Sequence, residues 1–369
     1  MLALLGFVVL AAVFATYVTI YLVFRASPMK VQALPDGKRG LPTASIVVPT
    51  FDEETTIQEK LNDLMRLDYP SEKLEIVVVD SSNDTTPRLV RDYKGRFPVR
   101  LTREPERKGE AVALNLGYSV SQGEIVVKSD CDAVCHDDQA LMKLVRHFAD
   151  PHIGGVSCVY TDSYQMQTEA AYRGLLTRLQ SAESKMDSTL IAHGAFVGFR
   201  KELIAPISPE SAADDTEMFV KIRKKGYRCI IDERVVFREI RPPNMRMVRH
   251  QRARRAHGII KVILSNADVL LNPRYGMYGL AVFPSNLFML VMSPIMLTAG
   301  VALAIAGFLF EWGMLGVFAA ASFLTVLATS LRCERPRRIV AFIRSQEAAL
   351  LGLLLFLSVR PKHVWNKAR

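Results

Sequence analysis

Three stretches without a charged side chain, 2–24, 275–310 and 312–331, decide what this 369-residue chain is able to fold into. Each approaches or exceeds the ~20 apolar residues that a helix needs to cross a bilayer. Basic residues follow the first run (Arg25, Lys30, Lys38, Arg39) and the third (Arg332, Arg335, Arg337, Arg338). By the positive-inside rule both flanks lie in the cytoplasm. No basic n-region precedes the first run and it is longer than a signal-peptide core, so 1–25 is expected to be an uncleaved transmembrane anchor. Residues 275–331 read as a transmembrane hairpin turning at Glu311, Trp312 and Gly313, with Pro284 and Pro294 as kinks or points of entry. In 332–369 the apolar stretch 348–359 is short, and extending it backward takes in Arg344 and Glu347. An interfacial or re-entrant segment with a cytoplasmic tail is expected there; if it spans, the basic tail Arg360, Lys362, Lys367 and Arg369 lies outside.

Between these ends, 40–240 has the mixed composition of a water-exposed α/β domain. Apolar runs at 44–48, 74–79 and 124–128 read as buried strands, and 57–65 carries apolar residues at helical spacing. Strands alternating with helices give a mostly parallel sheet. Acids stand at three strand ends, Glu53, Asp80 and the pair Asp130/Asp132, and parallel strands bring such ends to one edge, where open α/β sheets bind ligands. Two carboxylates one residue apart suit a hard cation, Mg²⁺ or Mn²⁺, which draws remaining ligands from water and a diphosphate. A solvated acidic turn is the commoner meaning of an isolated D-x-D. Cys131, Cys135 and His136 lack a second ligand pair for zinc, and five scattered cysteines give no disulfide framework. The net charge of +10 is densest beside the apolar runs, so membrane lipids rather than nucleic acid are the expected anionic partner.

The motifs VVPTFDEE, VVVDSSNDTT, RKGEAVALN and Asp130-Cys131-Asp132 closely resemble the nucleotide-binding half of family 2 glycosyltransferases. The likeness continues through His193-Gly194-Ala195-Phe196-Val197-Gly198, similar to the acceptor-side strand, and Ala213-Asp214-Asp215, similar to the T-E-D region. Gln251-Arg252-Ala253-Arg254-Arg255 resembles the Q-x-x-R-W motif of the cellulose-, chitin- and hyaluronan-synthase-like membrane subgroup, with Arg255 where tryptophan is expected. The resemblance covers about 44–258. It implies a GT-A fold over 40–240, basic interfacial helices carrying Q-x-x-R over 241–274, and inverting transfer from a nucleotide-diphosphate sugar to a lipid-linked or glycan acceptor. A further similarity to archaeal enzymes of lipid-linked glycan assembly makes GDP-mannose the preferred donor. The missing aromatic and the small membrane part favour one sugar per acceptor over polymerisation.

Carried onto these residues, the resemblance makes Asp215 the catalytic base and Asp130 and Asp132 the metal ligands. Donor contacts fall to Pro49, Thr50, Glu53, Asp80, Asp84, Lys108, Gly109, Asp130, Gln251, Arg254 and Arg255, and the acceptor side to His193, Gly194 and Asp214. Taken singly, Asp80 is more often a strand-end turn former, Asp215 a helix cap, Lys108-Gly109 an exposed turn, and His193 and His257 core or solvated residues. The basic run from Arg241 to Lys261 also reads as an amphipathic interfacial helix. The alternatives are a processive synthase using a UDP-sugar, a polyprenyl-phosphate sugar synthase, or a membrane sugar-binding or transport protein. Transport is disfavoured because the three clear apolar runs contain no ionisable residue.

Overall fold

Runs such as Ser45-Ile46-Val47-Val48 are too short for a stable helix and lack the polar alternation of a one-sided sheet, so they form strands covered on both faces. The computed structural model describes residues 1–26, 40–135, 137–160, 167–239, 245–332 and 337–358. Lys30, Lys38, Arg39, His136, Cys333, Arg335 and the tail beyond 358 lie outside the described residues.

The strands are β1 (Ala44–Thr50), β2 (Leu74–Asp80), β3 (Val99–Arg103), β4 (Ile125–Lys128), β5 (Ala133–Val134), β6 (Ile153–Tyr160), β7 (Val197–Arg200) and β8 (Arg228–Glu239). They form one sheet in the order β3-β2-β1-β4-β7-β6-β8-β5. β1 pairs in parallel with β2 and β4, and β2 with β3. β7 runs antiparallel between β4 and β6, β6 is parallel to β8, and β5 is antiparallel to β8. The acid-bearing ends of β1, β2 and β4 therefore share one edge, and the reversal of direction beside β4 opens a crevice there.

Helices α1 (Leu2–Ala26), α2 (Ile57–Met65), α3 (Thr86–Asp92), α4 (Glu110–Val120), α5 (Ala140–Arg146), α6 (Gln167–Met186), α7 (Asp214–Lys224), α8 (Met245–Ser265), α9 (Phe283–Leu287), α10 (Ser293–Arg332) and α11 (Arg337–Ser358) complete the fold. The period-2 alternation of a strand splits the core. Ile46, Val48, Ile76 and Val78 pack with Ile57, Leu61 and Leu141 on one face, while Val47, Val77 and Val79 meet Leu114, Phe199 and Phe219 on the other. A third cluster joins the sheet domain to the apolar helices through Phe24, Leu190, Val220, Ile263, Val282 and Phe283.

Three helices among the described residues are long and apolar enough to cross a membrane: Leu2–Ala26, Tyr278–Glu311 and Val340–Ser358. Wide π turns at Tyr278–Val282 and Phe288–Met292 stand just ahead of Pro284 and Pro294, whose missing N–H and ring displace the preceding carbonyls. α10 is interrupted at Gly313 (φ 54°, ψ −130°), where the sequence predicts a turn. α11 is one continuous helix; a re-entrant segment needs a reversal, and none occurs between 337 and 358. A closed hydrogen-bond ring ties the three candidate spans. The Tyr17 hydroxyl donates to Ser293 Oγ (3.0 Å), Ser293 to Gln346 Oε1 (2.7 Å), and Gln346 Nε2 back to the Tyr17 hydroxyl (2.9 Å).

Candidate active site

β4 ends in a lysine that sequence reading took for part of an apolar strand. The Lys128 stem completes the buried run, and its ammonium emerges at the sheet edge while the residue stays 3% exposed. Lys128 Nζ lies 2.7 Å from Asp214 Oδ2, 2.8 Å from Glu110 Oε1 and 3.4 Å from Asp130 Oδ1. Burial works against the ammonium, yet the surrounding carboxylates raise its pKa well above the ordinary value. One cation does not neutralise three acids. Lys128 holds the Glu110 carboxyl below the usual range, while burial pushes Asp214 up to about 7 against the pull of Lys128, and raises Asp215.

The Asp130-Cys131-Asp132 turn rests on a second buried cation. Lys60 of α2 donates from Nζ to Ser129 Oγ (2.7 Å) and to the Ala133 carbonyl (2.5 Å), one residue outside each acid. From the far side Asp130 N–H donates to the Gly194 carbonyl (3.3 Å). A Cβ on Gly194 would stand 2.8 Å from Lys128 Nζ and 3.1 Å from Asp130 Oδ2, so a side chain here would have to displace the Lys128 ammonium. Among the described residues no group of three or more His, Cys, Asp or Glu gathers as a metal site. The two carboxylates fit Mg²⁺ or Mn²⁺, which keep waters and complete their shell on phosphate oxygens, and do not fit a closed zinc site.

The β1–β2 end of the edge is bound up in its own contacts. Pro49 and Thr50 close the ladder opposite Val79 and Asp80. Asp80, fully buried, accepts hydrogen bonds from Thr50 Oγ1 (2.8 Å), Ser82 Oγ (2.5 Å) and Ser82 N–H (3.3 Å), and pairs with Arg103. Its carboxylate thus fixes the loop as a turn former does. Glu53 accepts from the Thr56 hydroxyl, and Asp84 accepts from Glu54 N–H (3.3 Å) and Thr86 N–H (2.9 Å), which joins the β1 and β2 loops. Lys108 is exposed, and Gly109 (φ 107°, ψ 161°) caps α4 in a backbone region that only glycine adopts readily. None of Pro49, Thr50, Glu53, Asp80, Asp84, Lys108, Gly109 or Asp132 lines the cavity beside Lys128.

That cavity, about 220 Å³, gathers the other expected residues: Asp130, His193, Gly194, Asp214, Asp215, Gln251, Arg254 and Arg255. Asp214 and Asp215 open α7, whose N-cap is Ala213, so Asp215 is within the first turn rather than the cap. Asp215 Oδ1 accepts from Thr216 N–H (2.7 Å). α8 reaches the site because Gly258 lets it lie on the backbone just ahead of α7; a Cβ there would be 2.7 Å from Ala212 C and O. His193 pairs through Nε2 with Gln180 Oε1 (2.8 Å) and stands edge-on to Tyr160 at 5.0 Å. His257 is a core residue, buried against α11 with its ring 6.0 Å from Phe356, and burial lowers its pKa.

Glu110, Lys128, Tyr160, Arg173 and Gln180 also line the cavity and were not singled out from sequence. A lysine closing an apolar strand beside D-x-D was the signal for Lys128. Tyr160 is flanked by Arg173 (4.7 Å from the ring centre) and Arg255 (5.8 Å), so an aromatic ring meets the residue that replaces the expected tryptophan.

Residues 45–207 match the family profile described as Glycosyl transferase family 2. A probable glycosyltransferase of Bacillus subtilis, YdaM, is 24% identical over 62% of this chain and 58% of its own length. The poly-beta-1,6-N-acetyl-D-glucosamine synthase of Staphylococcus epidermidis is 22% identical over 60% of this chain and 55% of its own. The chain thus spans somewhat more than half the length of these curated relatives. Among solved structures, mannosyltransferase PcManGT from Pyrobaculum calidifontis, in complex with GDP-Man and Mn²⁺, superposes with a TM-score of 0.83 at 29% identity, over 97% of this chain and 99% of that one. The sheet order and the matched span agree: residues 45–207 are similar to family 2 glycosyltransferases, and the fold is GT-A.

Proposed function

We propose that this protein transfers a sugar, with inversion, from a nucleotide-diphosphate sugar to a hydroxyl of a lipid-linked or glycan acceptor at the cytoplasmic face of the cell membrane. GDP-mannose is the preferred donor, a reading supported by the likeness to a mannosyltransferase solved with GDP-Man and Mn²⁺. The observation that carries the proposal is convergence: Asp215 of α7 and Gln251 and Arg254 of α8 meet Asp130 of the β4 turn in one cavity. In this reading Asp215 takes the proton of the acceptor hydroxyl as its oxygen attacks the anomeric carbon. The bond to the diphosphate breaks on the opposite face, and the diphosphate leaves with the electron pair. Arg254 grips phosphate oxygens with its planar fork. Mg²⁺ or Mn²⁺, held by Asp130 and Asp132, would supply positive charge where the leaving group develops its own. Lys128 keeps the acid cluster compact, and burial keeps Asp215 basic enough to accept a proton.

In the membrane, 1–25 forms an anchor and 275–331 a hairpin, with the sheet domain and α8 on the cytoplasmic side. One sugar is added per acceptor; a ladder of products under excess donor would instead favour a processive synthase, with Tyr160 in place of the absent tryptophan. The test of the chemistry is Asp215→Asn. A general base typically contributes ~10²–10⁴-fold, so turnover should fall by about that factor while donor affinity stays within a few-fold. Lost donor binding with normal turnover at saturation would make Asp215 a donor ligand.

A further inference from the structure

Helix α2 grips the loop 129–135, which carries Asp130 and Asp132, through residues spaced three apart. Lys60 Nζ donates to Ser129 Oγ (2.7 Å) and to the Ala133 carbonyl (2.5 Å). Asp63 Oδ2 accepts from Cys135 N–H (2.8 Å). Arg66, just past the helix end, donates to the Cys135 carbonyl (3.2 Å) and to Asp63 Oδ1 (2.6 Å). Positions three apart on a helix are neighbours on its surface, so one short helix fixes both ends of the loop.

The other side of the loop is fastened as well. Ser129 Oγ passes its own proton to the Ala195 carbonyl (2.9 Å), and Asp130 N–H donates to the Gly194 carbonyl (3.3 Å). Lys60 is fully buried, with its ammonium 5.7 Å from the ring centre of Phe237 on β8. Lysine is almost never fully buried unless it is paired, and packing alone at this position calls only for an apolar side chain. Burial lowers the Lys60 pKa, against the pull of Asp63, Cys131, Asp130 and Asp132. What the ammonium adds is the bridge between Ser129 and Ala133, which stand on either side of Asp130-Cys131-Asp132.

Mg²⁺ demands near-ideal geometry, and for metal sites in general the groups that orient the ligands matter nearly as much as the ligands. We propose that Lys60 is a positioning residue for the metal and diphosphate: by tying Ser129 to Ala133 it sets the spacing of the Asp130 and Asp132 carboxylates, and through them the affinity for the divalent ion and the nucleotide diphosphate. The proposal rests on the glycosyl-transfer reading and adds the residue that prepares its metal ligands. A cation close to a metal site opposes the ion by charge alone. Lys60 acts by geometry, and the two effects have opposite signs when the ammonium is removed.

The full chain in phosphatidylcholine nanodiscs is titrated with whichever of GDP or UDP it binds, first in chelator and then at rising Mn²⁺. The readout is the Mn²⁺ concentration that gives half of the gain in nucleotide affinity. Lys60→Met, which keeps the length of the stem, should raise that concentration by ~10–100-fold. Its nucleotide affinity in chelator should stay within about two-fold, which also shows that it folds. Ser129→Ala, which removes one of the two anchors, should move the Mn²⁺ requirement the same way by a smaller factor, and carries the test if Lys60→Met does not fold. Lys73→Met is the control. Lys73 also donates to a backbone carbonyl, that of Leu41 (2.7 Å), but stands ahead of β2 at the opposite edge of the sheet. It should leave the Mn²⁺ requirement unchanged even if it lowers the melting temperature. A Lys60→Met protein that melts earlier with an unchanged Mn²⁺ requirement makes Lys60 a packing residue and overturns the proposal. A lower Mn²⁺ requirement overturns it in favour of plain charge repulsion. Nucleotide binding that gains nothing from Mn²⁺ in the parent chain also overturns it, yet leaves glycosyl transfer standing; failure to bind either nucleotide sinks the parent reading.

Discussion

Replacing Lys128 by methionine keeps the apolar stem and removes the ammonium from three carboxylates, at 2.7, 2.8 and 3.4 Å. At an effective dielectric of ~20, each contact is worth roughly 5–6 kcal/mol of gross attraction, most of it offset by the desolvation of the ions. The net effect is better bounded by what the acids do next. With no ammonium among them, at least one further carboxylate must take up a proton. For an ordinary acid that costs about 4 kcal/mol at pH 7 and about 1.5 kcal/mol at pH 5. The first figure agrees with the ~3–5 kcal/mol typical of stripping a buried ion of its partner. For a domain of this size the melting temperature should drop by roughly 10 °C at pH 7 and a few degrees at pH 5. Differential scanning fluorimetry of both proteins across pH 5–8 reads this directly. A deficit that is the same at pH 5 and pH 8 would refute the account, because a plain packing defect carries no proton. So would a variant as stable as the parent throughout.

Glu183, buried and accepting from Thr189 Oγ1, Leu190 N–H and Asn286 Nδ2, has its pKa pushed up to about 7. A carboxyl raised in the folded state binds more protons folded than unfolded between pH ~4.5 and ~7, so its contribution to stability falls by up to about 3 kcal/mol as pH rises through that window. Glu183→Gln should flatten this slope in thermal melts taken at pH 5 and pH 8; an unchanged slope assigns it elsewhere. Gly258→Ala places a methyl against the Ala212 backbone. Overpacking of this kind costs ~1–3 kcal/mol, and pushing α8 from α7 should lower turnover more than donor affinity; normal turnover would show that α8 position is not limiting. Activity should require Mg²⁺ or Mn²⁺ and vanish in folded Asp132→Ala, whereas full turnover in excess chelator would remove the metal from the reading.

The half of the domain that was legible is the half whose signals are local. β1, β2 and β4 are nearly unbroken Val/Ile runs because parallel central strands are covered on both faces. β6 escaped because Gly154, Gly155 and Cys158 dilute its apolar run, and these glycines are there to admit Ile222 and Phe219 from α7. β8 carries Asp232, Glu233 and Arg234 in mid-strand, which reads as a loop. Only the fold pairs Asp232 with His147, 85 residues away, and holds its pKa well below the carboxylate range. At the site, Asp130, Asp215, Gln251 and Arg254 come together as their motifs imply. Asp80 carries more than its sequence signature shows: besides standing at a strand end, it ties its own loop together through Thr50, Ser82 and Arg103.

The ring of Tyr17, Ser293 and Gln346 also sets an order of assembly. Its members come from the first, the penultimate and the last of the described helices, so it closes only after Gln346 has left the ribosome. By then β1 to β8 and α7, which together with α4 supply Lys128 and its three acids, have long been made. Ser345, Ala348 and Ala349, which sit beside Gln346 on α11, arrive with the closing of that ring and add the final wall of the cavity. Synthesis therefore produces an open-sided domain first and a walled one last. A chain in which α11 has not docked lacks the wall that Ser345, Ala348 and Ala349 give the cavity.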